Sequence, residues 1–196
     1  FCVERIDIAD ATALALLRGK RRKNDKNDSI DCAKRLARGE CPLGYIAPLE
    51  IMRLRKMGRH WRRLSHTISR AKNGMRGILN AANFDGPTEI TAASAQTWLL
   101  NYGYGLMDVQ AEAFSDLLDI VGIVERQQEQ LRRRIIRICG DDRFRPSIEL
   151  LQSIPGVGEI FSCVIFAEIG NFERFPNADA LEFWAGLTPD NKESAG

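Results

Sequence analysis

Residues 150–189 read LLQSIPGVGEIFSCVIFAEIGNFERFPNADALEFWAGLTP, and the fold is argued outward from them. Near the start of this stretch, Ile154-Pro155-Gly156-Val157-Gly158 makes an apolar turn between Ile148-Glu149-Leu150-Leu151 and a long apolar run that ends at Ile169. Pro155 lacks an amide N–H and its ring clashes with a preceding helical turn, so a first helix stops before it. Gly156 and Gly158 permit tight or left-handed backbone angles and let a ligand come close to the main chain. A second helix then begins with amide N–H groups facing outward, where a phosphate can be held. The pattern is that of a helix-hairpin-helix, a unit whose usual partner is nucleic-acid backbone rather than base sequence. A helical hairpin that merely packs fits the same residues, and short motifs arise by chance. On these residues alone both readings stay open.

The bulk properties set wide bounds. A chain of 196 residues holds one or two domains, and a hydrophobic fraction of 44% is enough for a real core. The formal net charge of +2 is nearly balanced, so composition alone does not announce a nucleic-acid binder, and the distribution of charge matters more. No run approaches the length of a transmembrane helix. No leader is visible, but the chain opens at Phe1 rather than Met, and the expectation is a fragment of a longer protein. The cysteines, Cys2, Cys32, Cys41, Cys139 and Cys163, are odd in number, widely spaced and without a CxxC, which fits a reduced setting better than a disulfide framework. His60 and His66 have no cysteine pair nearby, which argues against zinc.

Upstream, residues 1–7 form a short strand candidate and residues 11–17 a short apolar helix ended by Gly19. A basic turn, Lys20-Arg21-Arg22-Lys23, leads to Asn24-Asp25-Lys26-Asn27-Asp28-Ser29. Asn24 or Asp25 caps a helix running through Ile30, Ala33, Leu36 and Ala37, with Gly39, Pro42 and Gly44 closing the unit. Asp25 and Asp28 are three apart and so share a face. Two convergent carboxylates could hold Mg²⁺, which takes oxygen ligands and keeps several waters. On chemistry alone, a capping cluster that complements the helix dipole is the better reading.

A long helix follows. Its apolar residues alternate at spacings of three and four: Leu54, Met57, Trp61, Leu64, Ile68, Ala71, Met75, Ile78 and Ala82. That is a coiled-coil or helical-hairpin seam, weakened locally by Gly58, Gly74 and Gly77. Between Glu50 and Asp85 the chain has no acidic residue, whereas Arg53, Arg55, Lys56, Arg59, Arg62, Arg63, Arg70, Lys72 and Arg76 are basic. A one-sign face of this length calls for an anionic partner. One candidate is nucleic acid. The other is a second long helix with seam Ala113, Leu117, Ile120, Val124, Leu131 and Ile138, whose first half carries Asp108, Glu112, Asp116, Asp119 and Glu125. Antiparallel pairing would neutralise only the late part of the basic helix. Between the two helices lie a polar loop over residues 85–95 and a small helix or turn around Trp98, broken by Gly103 and Gly105.

The blocks Ile154-Pro155-Gly156-Val157-Gly158, Ala167-Glu168-Ile169-Gly170, Arg174-Phe175-Pro176, Ala180-Leu181 and Ala185-Gly186-Leu187-Thr188-Pro189, in this order and spacing, closely resemble the C-terminal transposase domain of the insertion-sequence 110 family, which is related to the Piv DNA invertases. Lys23-Asn24-Asp25-Lys26-Asn27-Asp28-Ser29 is similar to the Lys-Thr-Asp-x-x-Asp-Ala segment that closes that family's RNase-H-like domain, with Asn24 in place of Thr. The resemblance spans nearly the whole chain. It implies a mainly α fold in three parts. Residues 1–46 would be a remnant of the α/β RNase-H-like catalytic domain. Residues 47–140 would be a long antiparallel helical hairpin or coiled coil. Residues 141–196 would be the transposase C-terminal domain with its helix-hairpin-helix.

The resemblance also implies roles. Asp25 and Asp28 would be the last two acids of an Asp-Glu-Asp-Asp tetrad that binds Mg²⁺, and the first two have no counterpart in this chain. Ser194 is the best match to the family's nucleophilic serine, although Ala195 separates it from Gly196. DNA strands would be cut and rejoined through a phosphoserine, with target choice attributed to a structured guide RNA, several copies of the protein acting together, and a bacterial or archaeal cytoplasm as the setting. Arg59, Arg62, Arg63, Arg70, Lys72, Gly156 and Gly158 would meet nucleic-acid backbone. As a fragment the chain is expected to bind nucleic acid without cleaving it. The rival readings are a non-catalytic helix-hairpin-helix DNA-binding module and a purely structural helical adaptor.

Overall fold

The structure, a computed structural model, describes residues 25–87 and 89–187 together with Ile8, Ala9 and Leu14. Among these it is mainly helical, with one isolated antiparallel bridge, Ala9 to Leu43, and no strand. The expected strand over residues 1–7 and most of the expected helix over residues 11–17 lie outside the described residues. The chain divides into two compact units. One is Leu49–Gly170, and the other draws on the residues either side of it in sequence.

The larger unit is built on two long helices, α2 (Leu49–Ala81) and α4 (Asp108–Cys139), which follow α1 (Asp25–Ala37) and flank the short α3 (Ala92–Tyr102). Contacts run in opposite order along the two. Ser65 meets Gln128, Lys72 meets Glu125 and Gly74 faces Leu117, so α2 and α4 lie antiparallel. On α2 the three-and-four spacing holds: Leu54, Ile68, Ala71 and Met75 are buried, and Met57, Trp61, Leu64 and Ile78 half-buried. On α4 the expected seam holds in part: Leu117, Val124 and Leu131 are half-buried and Leu117 packs against the core, but Phe114, Val121 and Cys139 are buried one residue beyond Ala113, Ile120 and Ile138, and Ile135 is buried with them. Ile120 and Ile138 are 41% and 37% exposed. The reason is position 128. It shares the heptad row of Phe114, Val121 and Ile135 but holds a glutamine, which donates to the Ser65 hydroxyl instead of packing as an apolar knob.

Two of the α2 glycines have a further role in packing. A Cβ at Gly58 would come within 3.3 Å of Val164, and one at Gly74 within 3.0 Å of Leu117. Both mark close approaches between helices.

At one end of the pair, α3 starts at Ala92, inside the segment expected to be loop. Thr91 and Ser94 form a capping box there: the Thr91 hydroxyl accepts from the Ser94 amide, and the Ser94 hydroxyl accepts from the Thr91 amide. This sets Trp98 among Phe84, Tyr102 and Phe114, with its indole N–H donating to the Asp85 carbonyl at 3.1 Å. Met75, Leu79, Ile90, Ala95, Leu106 and Val121 complete this core.

At the other end pack α5 (Arg145–Gln152) and α6 (Glu159–Ile169). Pro146 sits in the first turn of α5, where its missing N–H costs no helical bond. Phe144 and Phe166 rings meet at 5.1 Å, and Trp61 meets Phe161 edge-on at 5.9 Å.

In the other unit, α1 ends in a turn with Gly39 at φ +72°, and Asp31 pairs with Arg35 within the helix. A 3₁₀ turn, Phe172–Arg174, leads to α7 (Ala178–Ala185), which Asn177 caps by accepting from the Ala180 amide and Gly186 ends in a left-handed conformation. The Arg174 guanidinium lies over the rings of Phe175, Tyr45 and Trp184, at 4.1, 4.7 and 4.8 Å.

Candidate functional site

The basic face of α2 is split by what it touches. Arg59 donates two hydrogen bonds of 2.7 Å to the two carboxylate oxygens of Glu168 near the end of α6. Arg55, one turn earlier, donates to the carbonyls of Ala167 and Glu168. The Arg59 guanidinium, bonded to both oxygens, holds the Glu168 carboxyl below its ordinary range, and the charges of Arg59, Arg55 and Arg62 act in the same direction against burial. Lys72 pairs with Glu125 at 2.9 Å. Arg62, Arg63 and Arg70 are exposed and carry no ion pair with the described residues. With His66, also exposed, they stand at helical spacings of three, four and seven, on one face.

The second element is the turn between α5 and α6. Gly156 takes φ +87°, the left-handed region, and the Val157 amide donates back to the Ile154 carbonyl at 3.0 Å. Gly158 is extended and leads straight into α6, whose start no side chain caps. A Cβ on either glycine would meet nothing within 4 Å. The turn is therefore open to solvent, and Gly156 is needed there for its backbone angle rather than for space. Gln152 donates to the Ser162 hydroxyl, which donates to the Glu159 carbonyl, so a short chain of bonds holds α5 to α6 behind the turn. Glu159, in the first turn of α6, is held by Arg132 at 2.7 Å. That pairing reduces the negative charge an approaching phosphate would meet.

The third element is α1. Its backbone begins at Asp25, and Asp28 is half-buried one turn on. The side chain of Asp25 lies outside what the structure describes, as does the whole of Ser194. Among the described residues no group of three or more His, Cys, Asp and Glu side chains gathers where a metal could sit. Asp25 and Asp28 could supply two of the oxygens that Mg²⁺ takes, leaving the remainder to water and phosphate. Among the cysteines, Cys139 and Cys163 are buried, and the Cys139 thiol is pushed up by its hydrogen bond to Cys163 and by burial. A protonated, buried thiol is a poor nucleophile.

The structure thus brings Arg62, Arg63 and Arg70 together on one exposed face and leaves Gly156 and Gly158 open, while Arg59 and Lys72 are engaged within the protein. Glu168, the partner of Arg59, was not singled out as a site residue. It is the lone acid in the apolar run before Gly170, opposite a helix with no acid after Glu50, and that isolation was its only signal.

No curated protein matches the chain. Residues 148–196 match the profile of the family described as Transposase IS116/IS110/IS902 family. The match takes in α6, α7, the last five residues of α5 and the open glycine turn. Over these residues the chain is similar to transposases of the IS116/IS110/IS902 family.

Proposed function

We propose that the protein belongs to a DNA recombination machine of an insertion sequence, cutting and rejoining DNA strands at a site chosen with a structured RNA. The observation that carries this reading is the family match at residues 148–196, which falls on the open turn at Gly156 and Gly158. In this reading residues 1–46 close the catalytic domain, residues 47–140 are a helical hairpin that grips backbone, and residues 141–196 present the nucleophile on a helix-hairpin-helix domain. Arg62, Arg63 and Arg70 meet phosphates of DNA or RNA, and the amides at the start of α6 take another.

The Ser194 hydroxyl attacks a phosphodiester phosphorus. A P–O bond forms to serine, the bond to one strand's oxygen breaks, and that strand leaves with a free hydroxyl. A hydroxyl of the incoming strand then displaces serine. Asp25 and Asp28 would hold Mg²⁺, which supplies charge stabilisation at the phosphate and the departing oxygen when bound.

Two measurements test this. Replacing Arg62, Arg63 and Arg70 with Gln should weaken binding to duplex DNA and lower the slope of log K against log salt by about 2.7 if all three meet phosphates. Unchanged affinity would make the basic face a packing surface. In a protein that joins this chain to the first two acids of the tetrad, mass spectrometry after incubation with target DNA should find a phosphoserine adduct at Ser194 that Ser194→Ala abolishes, whereas this chain alone should bind without forming one. Binding by the joined protein with no adduct on any residue favours the second reading, a non-catalytic helix-hairpin-helix module, which the open turn also supports.

A further inference from the structure

Glu168 is an acid set among cations. Between Glu50 and Asp85 the chain carries no acid, and the fold brings Glu168, on the last turn of α6, against that basic run. Its carboxylate accepts from the Arg59 Nε and Nη2 atoms at 2.7 Å each and lies 3.4 Å from the Arg55 Nε. One negative charge therefore faces two guanidinium groups at contact distance, and Arg62 is close enough to act on it as well. The Arg59 side chain is still 58% exposed. It stands three, four and eleven positions before Arg62, Arg63 and Arg70, on the face they share.

Two features separate this carboxylate from a packing contact. First, α6 keeps other ties to α2. Arg55 donates to the main-chain carbonyls of Ala167 and Glu168, which any residue at 168 would supply, and Gly58 lies against Val164. Second, the pair is two-pronged. A guanidinium presents the same two parallel N–H groups to a carboxylate and to a phosphate, so the position that Glu168 fills also suits a phosphodiester oxygen pair.

We propose that Glu168 is a built-in competitor for nucleic-acid backbone: its carboxylate occupies Arg59 in the free protein, and a phosphate displaces it to extend the contact face of α2 from Arg70 to Arg59. This rests on the reading that α2 meets phosphates. The exchange is easy because an ion pair at so exposed a site is weak. It also selects for a continuous backbone. An isolated anion must compete with a carboxylate tethered beside the guanidinium. A backbone already held at Arg62 and Arg63 brings its next phosphate at a comparable local concentration.

Binding of short DNA and RNA duplexes to the full chain at low salt tests it. Glu168→Gln should tighten binding about two- to fivefold, the range an exposed ion pair can supply. Arg59→Gln alone should change binding by less than about twofold, yet in the Glu168→Gln background it should remove the whole gain. A mere increase in net positive charge would leave the two substitutions additive. In the parent chain the Glu168 side-chain carboxyl carbon should shift in NMR when duplex is added, a readout that needs neither variant to fold. A coupled gain with DNA, with RNA or with both identifies the backbone that displaces Glu168. No gain with either duplex, additive effects or an unmoved carboxyl signal overturns the proposal. If replacing Arg62, Arg63 and Arg70 with Gln also leaves binding unchanged, the nucleic-acid reading of α2 falls too; if that replacement weakens binding, only the role of Glu168 falls.

Discussion

The two ends of the α2–α4 pair are held by different chemistry. Around Trp98 the contacts are apolar and closed: Met75, Phe114 and Val121 are fully buried, and the polar indole N–H is matched by a carbonyl. Around α6 the contacts are mixed. Phe144 and Phe166 meet there as tilted rings, but Arg55 and Arg59 also reach across to the last turn of α6. Apolar burial is non-directional and scales with area, so it makes a stable end without fixing one orientation. Charge-assisted, two-pronged hydrogen bonds add little net energy at a half-exposed site but fix geometry. The first end therefore carries stability, and the second fixes how α6, with the open turn before it, stands against the basic helix.

That contrast can be broken at several points. The largest effect should come from Phe114→Ala, which empties a fully buried site and should cost about 3–5 kcal/mol in urea unfolding. Loss of under half of that would mean the site collapses or the core is less closed than described.

Gly58→Leu should come next. It forces a side chain into the space occupied by Val164, and overpacking of this kind costs about 1–3 kcal/mol. A neutral result would show that α2 and α6 can separate freely.

Glu168→Gln should lower stability by about 1 kcal/mol or less at neutral pH, since its partner Arg59 is largely exposed. The sign with pH follows from the depressed folded-state carboxyl. Its contribution is complete above the ordinary glutamate value of 4.5 and is lost as pH falls through the lower folded value. Melting temperatures of the variant and the parent should therefore converge in acid. A gap that persists at the lowest pH would assign the effect to packing. Smallest of all, Gln128→Leu should change stability by under about 1 kcal/mol, because Ser65 keeps its bond to the Trp61 carbonyl. A larger loss would make the Ser65–Gln128 bond a register lock between the helices.

Much of the helical frame was legible in the chain. The α2 seam could be read because every core position holds an apolar residue at the right spacing, and Asn177 with Gly186 bracketed α7 because capping chemistry is local. The α4 seam was read in part: the row of Leu117, Val124 and Leu131 was found, but the row of Phe114, Val121 and Ile135, interrupted by Gln128, was missed. The start of α3 was missed because Thr91 and Ser94 lie in a polar run that also reads as loop. The candidate site was legible as a set of residue types, and the open glycine turn falls where the motif placed it. Which arginines are available for nucleic acid was not legible, because Arg59 and Glu168 are 109 residues apart in sequence.

The order of residues along the chain was enough to set the helices, the turn at residues 153–158, the sign of the α2 face and the family of the C-terminal segment, all of which depend on residues near one another in sequence. Packing in three dimensions settled which charges are spent within the protein and which apolar stripe of α4 faces inward. Those outcomes depend on how distant helices approach, and electrostatic pairing and burial act over a few ångströms of space rather than along the sequence.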